Sequence, residues 1–291
     1  MNRFFFKYFV VTTLSLIFMS CQKEKPKDND EIKQMTMTTS KSSVGIDIAG
    51  EGTFTIDWGD GSKIETYKLS AYNSDDWFHW QNRHKYKHYH LYSEEVSRTI
   101  IITGENITHL SSQYNRLTGL DVTKNRALTY LTCHVNQLTN LDISKNTKLT
   151  ILGCGDNQLT SLDVNKNTKL IHLYCGNNQL ANLDVSKNIA LSYLNIENNQ
   201  ITNLVVSNNT ELTYLNCSIN QLTNLDATKN IELINLVCFS NQLSKEALDA
   251  LFETLPRNED YKTISIGNNP GTSSCNRNIL AEKGWFIIDD W

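Results

Sequence analysis

Proline is nearly missing from this chain, with three in 291 residues. Hydrophobic residues make up 40% of the sequence, so the chain is not a polar, unpackable one. Charge bias is missing too: 27 Lys and Arg against 31 Asp and Glu leave a formal charge of -4. That balance gives no footprint for nucleic acid or for an anionic membrane surface. Phosphate-binding loops, nucleophile motifs and CxxC pairs do not occur. Those absences remove the usual routes to catalysis and to cysteine-held zinc, so no enzymatic activity or cofactor is expected and no metal site is assigned.

What the sequence has instead is repetition. From Leu117 to Gln242 one 21-residue unit is written six times without insertion or deletion. The third copy, LTSLDVNKNTKLIHLYCGNNQ at 159–179, shows its form: LxxLDVxxNxxLxxLxCxxNQ. Its apolar positions, Leu159, Leu162, Val164, Leu170, Leu173 and Cys175, are too few to close a core alone. Stacking the copies in register sets each apolar column against the same column one coil away, which is a solenoid. Two asparagine columns run through it. Asn115, Asn136, Asn157, Asn178, Asn199, Asn220 and Asn241 follow the strand positions, and Asn125, Asn146, Asn167, Asn188, Asn209 and Asn230 lie mid-copy. Buried turns leave backbone groups to be bonded, and an amide both donates and accepts, so both columns read as structural ladders. Their spacing implies two corners and two roughly straight sides per coil.

The segment LTYLTCHVNQL, Leu128–Leu138, has the form LxxLxLxxNxL with Cys133 in place of Leu. It resembles the leucine-rich repeat, specifically the short bacterial internalin-like kind, and the resemblance covers 107–243. It implies a strand at each LxC, lining one face of the coil stack, and names no ligand. Five of seven cysteines, Cys133, Cys154, Cys175, Cys217 and Cys238, share one column that Ile196 also fills, so the slot is apolar. Neighbouring parallel strands lie about 4.8 Å apart, wider than the roughly 3.8 Å between Cβ atoms of a disulfide. Buried free thiols are therefore expected.

Before the repeats the composition changes three times. Residues 1–20 carry Arg3 and Lys7, then an apolar run from Tyr8 to Met19 too short to span a bilayer comfortably: a secretory signal layout. LIFMSC resembles the lipobox of bacterial lipoproteins, which implies acylation of Cys21, a membrane anchor there, and an outer-membrane lipoprotein, surface-exposed or facing the periplasm. Residues 21–31 are polar and charged, a flexible tether. From 32 to 106 the period becomes two, with VGIDIA, GTFTIDW and RTIIITG as strands separated by glycine-rich turns. FTIDWGDGS at 54–62 with HLY at 90–92 resembles the PKD-like β-sandwich, in which such a turn and HxY pair are fold determinants. Asp57 and Asp60 are read as turn formers, with Ca²⁺ the lesser alternative. The segment WFHWQNRHKYKHYHLY, Trp77–Tyr92, leaves zinc, polyanion or sugar binding, and a plain hairpin open. Ile107, Leu110 and Asn115 already keep repeat phase, so the β domain doubles as the N-terminal cap of a solenoid spanning 107–242.

On the repeats, strand alternation points Leu131 and Cys133 inward and their neighbours outward. The outward columns vary in identity, and His109, Tyr130, His134, His172, Tyr174, Tyr193, Tyr214, Asn195, Asn216 and Phe239 are the candidate recognition residues on that face. An Asp column from Asp121 to Asp226, offset by a Lys column from Lys124 to Lys229, reads as a solvated side. After Gln242, SKEALDALFETLP reads as a helix capped by Ser244, followed by KTISIGNNPG as strand and turn, a short helix and a last strand: an α/β cap over 243–291. The expected whole is β-rich: a PKD-like sandwich, then a leucine-rich-repeat solenoid, then that cap. The expected function is a lipid-anchored binding or adhesion protein that recognises a protein or glycan. A structural surface component without a dedicated ligand is the alternative, and no nucleic-acid partner is expected.

Overall fold

A computed structural model of the chain describes residues 33–71, 87–257 and 261–288. Cys21, the leader, the tether and residues 77–86 of the aromatic segment lie outside the described residues. The chain begins with β1 (Gln34–Thr39), β2 (Ser43–Asp57), β3 (Glu65–Lys68), β4 (His88–Leu91) and β5 (Arg98–Ser111). Strand β5 pairs antiparallel with β1 on one side and β2 on the other, while β2 also pairs with β3 and β4. Alternation places Met35, Met37, Ile100 and Ile102 fully inside.

Glycine does not separate strands at Gly50 as the sequence suggests. VGIDIA and GTFTIDW form one long strand, and its register against β5 slips at Gly50 and again after Glu51. The cause is steric. Gly50 has φ +152°, and a Cβ there would collide with the Asn106 carbonyl oxygen. A glycine at a close backbone approach makes a β-bulge, and a bulge bends a strand without ending it.

The repeats then add one short parallel strand per coil. After β6 (Gly119–Asp121), which pairs back onto β1, come β7 (Tyr130–Thr132), β8 (Ile151–Gly153), β9 (His172–Tyr174), β10 (Tyr193–Asn195), β11 (Tyr214–Asn216) and β12 (Asn235–Val237). The C-terminal end of β5 is the first rung, with Leu110 beside Leu131. Leu131, Leu152, Leu173, Leu194, Leu215 and Leu236 follow in register, each at most 1% exposed. Burying each contributes roughly 1.5 to 3 kcal/mol. The opposite side of the coil is less regular than expected. Among the described residues it forms a strand at β6 and otherwise runs as turns, because its bonds go to asparagine ladders rather than to neighbouring strands.

Both ladders are present. Asn178 Nδ2 donates to the Cys154 carbonyl of the coil before and to the Cys175 carbonyl of its own, each at 3.1 Å, while Oδ1 accepts from Leu159 N at 3.0 Å. Asn167 Nδ2 donates to the Ile143 and Asn146 carbonyls at 3.0 and 2.9 Å. One amide thus ties two coils at each corner. At the N-terminal end Asn115 exchanges bonds with both backbone groups of Gly45 on β2, so the β domain terminates the outer ladder.

The C-terminal segment continues the solenoid. After α1 (Lys245–Thr254), whose N-terminus is capped by Ser244 Oγ accepting from Ala247 N, β13 (Lys262–Ser265) pairs parallel with β12. Then α2 (Asn278–Glu282) leads to β14 (Trp285–Ile287), parallel to β13. Asn269 takes the next ladder position, its Oδ1 accepting from Asn241 N and Leu243 N at 3.2 Å. The strand register therefore runs past Gln242. The sequence signal is ISIGNN at 264–269, which has the LxCxxN form with a longer step before it.

Candidate functional site

The outward face of the parallel sheet carries the candidate residues in register. Tyr130, Ile151, His172, Tyr193, Tyr214 and Asn235 are partners on successive strands. Tyr193 and Tyr214 stack at 4.2 Å between ring centres, and Tyr174 leans on Tyr193 at 4.6 Å. His172 meets Tyr193 edge-on at 6.0 Å. These rings are half-buried, and burial holds the Tyr174, Tyr193 and Tyr214 phenols above their ordinary range.

Two candidates point outward but are not exposed. His109 is 6% exposed because its strand lies against Ala49 of β2 and its ring stacks on Tyr130 at 3.7 Å. Burial pushes the His109 imidazole down to about 3, so it is a neutral packing group. Asn216 is also 6% exposed: Oδ1 accepts from Ser218 N and Oγ, and Nδ2 donates to Glu197 Oε2 at 3.0 Å. Its part is to position Glu197. Phe239 lies after β12, in the same column as Glu197 and two coils on.

Three candidates converge where the columns lose their side chains. His134, Gly155, Gly176 and Glu197 are one column, so two bare coils lie between an imidazole and a carboxylate. Gly153, Tyr174 and Asn195 flank them on one side, Asp156 and Asn177 on the other. Together they line a cavity of about 100 Å³. Asn195 Oδ1 accepts from Glu197 N at 2.9 Å, which fixes that wall. Asp156 sits at the rim, and partial burial raises its carboxyl above the usual range, against a hydrogen bond with Asn177. Sequence reasoning picked out His134, Tyr174 and Asn195 and missed Asp156, Asn177 and Glu197. The available signal was three glycines clustered in otherwise bulky columns.

Elsewhere the structure replaces expected contacts. The Asp column is held by its own backbone: Asp142 Oδ1 accepts from Ser144 N and Asp184 Oδ1 from Ser186 N, each at 2.9 Å. Each carboxylate closes a local turn instead of depending on the Lys column. The five cysteines are buried thiols, and burial raises them, Cys154 and Cys217 to about 12. Among the described residues no three His, Cys, Asp or Glu side chains gather to hold a metal. In the β domain Asp57 Oδ1 accepts from Gly59 N and Asp60 Oδ1 from Ser62 N, while Asp60 Oδ2 meets His90 Nε2 at 2.8 Å.

Against solved structures this geometry has a clear likeness. The solenoid resembles the internalin-type leucine-rich-repeat fold. The internalin InlF of Listeria monocytogenes is 25% identical, with a TM-score of 0.50 over 59% of this chain and 51% of that one. Internalin C2 of the same organism is 22% identical, with a TM-score of 0.51 over 62% and 80%. The functional domain of InlJ, also from Listeria monocytogenes and described as including a cysteine ladder, is 30% identical over 63% and 51%, with a TM-score of 0.46. The chain spans about half the length of the first of these structures that it matches. No protein-family model and no curated protein matches the sequence.

Proposed function

We propose that this chain is a binding protein held at the bacterial surface by a lipid on Cys21, and that the outward face of its internalin-like sheet recognises a protein or glycan ligand. The observation that carries this reading is the half-exposed ladder of Tyr174, Tyr193 and Tyr214, contiguous with the pocket between His134 and Glu197. Aromatic side chains concentrate contact area in few rotatable bonds and are favoured at the centres of interfaces. Lodged on a stack of rigid coils, they are preorganised, so little ordering cost falls on binding.

The β domain before the repeats serves as a PKD-like cap. Support comes from the contacts of its turn with the HxY segment: His90 stacks on Trp58 at 4.9 Å, and the Tyr92 hydroxyl donates to the Trp58 carbonyl at 2.9 Å. Those residues act on the fold, which leaves recognition to the repeats.

The test is a protein and glycan array probed with the full chain and with Tyr174→Ala/Tyr193→Ala/Tyr214→Ala. Partners that bind the parent and are lost by the triple variant support the reading. An unchanged binding profile contradicts it and leaves the tyrosine stack as structure only. Replacing Cys21 by Ser, with membrane fractionation as readout, tests the anchor separately.

A further inference from the structure

The glycine-floored pocket differs in chemistry from the tyrosine ladder beside it. Its lining contains two carboxylates, Asp156 and Glu197, and no lysine or arginine. Asp156 stands in the turn after β8 and Glu197 two coils on in the neighbouring column, with Tyr174 on the far side of the glycines from Asp156. Building on the strand-face reading, we propose that this pocket receives the cationic head of a basic side chain, a lysine ammonium or arginine guanidinium presented by a protein partner.

Three observations converge on that class. The first is size: a cavity near 150 Å³ holds a benzene ring, so one of about 100 Å³ seats a side-chain tip rather than a whole sugar ring. The second is the donor and acceptor balance. Ammonium and guanidinium groups carry three and five donors and no acceptor, which matches the two carboxylates of the lining. The third is the wall: Tyr174 offers an aromatic ring to a cation, a favourable contact once water is displaced. The raised Asp156 carboxyl fits this geometry, because a partly desolvated carboxylate without a cationic neighbour gains most from acquiring one. Gly153, Gly155 and Gly176 keep the space open. A Cβ at Gly176 would come within 3.0 Å of Asn195 Oδ1, and one at Gly155 within 3.0 Å of the Gly176 carbonyl.

The experiment is an amide NMR titration of the full chain with blocked Gly-Arg-Gly and Gly-Lys-Gly peptides, and in parallel with methyl glucoside and methyl galactoside. The cationic peptides should shift the amides of Gly155, Asp156, Gly176 and Glu197. Asp156→Asn/Glu197→Gln should weaken that binding roughly tenfold or more, since charge-assisted bonds are lost. Asparagine is tolerated at the left-handed residue 156, and glutamine keeps an acceptor for Asn216, so the fold should survive, with the amide spectrum as check. Asp163→Asn/Asp184→Asn, on the other side of the coil, should bind as the parent does. Equal binding by the pocket variant, glycosides moving these amides where the peptides do not, or no shift with any probe would each overturn the proposal. An array partner that needs the tyrosines but ignores Asp156→Asn/Glu197→Gln would sink this inference alone and leave the strand-face reading standing.

Discussion

The residue before each outer-ladder asparagine sits in the left-handed region: Tyr114, Val135, Asp156, Asn177, Asn198, Ile219 and Ser240, then Asn268. The turn imposes this, because the next amide has to reach carbonyls two and three residues back and one coil away. For a β-branched residue the conformation costs about 1 to 2 kcal/mol, and asparagine relieves much of it. Ile219 is 39% exposed and gives up little burial. Ile219→Asn should therefore raise stability in urea by roughly 1 kcal/mol, and a loss would contradict the strain. His109 provides a second test. Its folded pKa near 3 lies below the ordinary 6.5, so its contribution is whole above pH 6.5 and lost as pH falls towards 3. Over that window urea unfolding of the parent should lose about 1.4 kcal/mol per pH unit relative to His109→Phe. Parallel curves would mean that the imidazole is not buried neutral.

At the scale of elements, stability lies in the joins between coils, and the ends matter as much as the middle. The N-terminal join was legible: Ile107, Leu110 and Asn115 keep phase, and β5 does run unbroken from the β domain into the first rung. The C-terminal join was only half legible. α1 is plain in the spacing of Leu248, Leu251 and Phe252, but the next rung comes after a step of 28 residues and the one after it after a step of 23, so a fixed 21-residue period passes over both. Truncation after Gln242 removes β13, β14 and Asn269, and exposes the Leu236 and Cys238 columns. An uncapped repeat end is insoluble or prone to edge pairing, so this variant should aggregate on concentration by light scattering. A monomeric, cooperatively folding truncation would show that the cap is dispensable.

Across the whole molecule, identical coils put residues 21 apart into contact, and this part followed directly from the repeat. Exposure did not follow. The alternation that points His109 and Asn216 outward says nothing of β2 closing over the one or of Glu197 and Ser218 engaging the other. Nor did the pocket, since the glycines at 153, 155 and 176 mark where side chains are missing but not which neighbours line the gap. The solenoid thus has two unlike long sides, one lined by tyrosines and a small anionic pocket, the other by Asp turns beside lysines. The claim that recognition belongs to the first side is tested most directly by footprinting the full chain with a partner taken from the arrays. Oxidative labelling should fall at Tyr174, Tyr193 and Tyr214 in the complex, while acylation of Lys124, Lys145, Lys166 and Lys187 stays at its free rate. Protected lysines with unchanged tyrosines would place the partner on the other side and contradict the account.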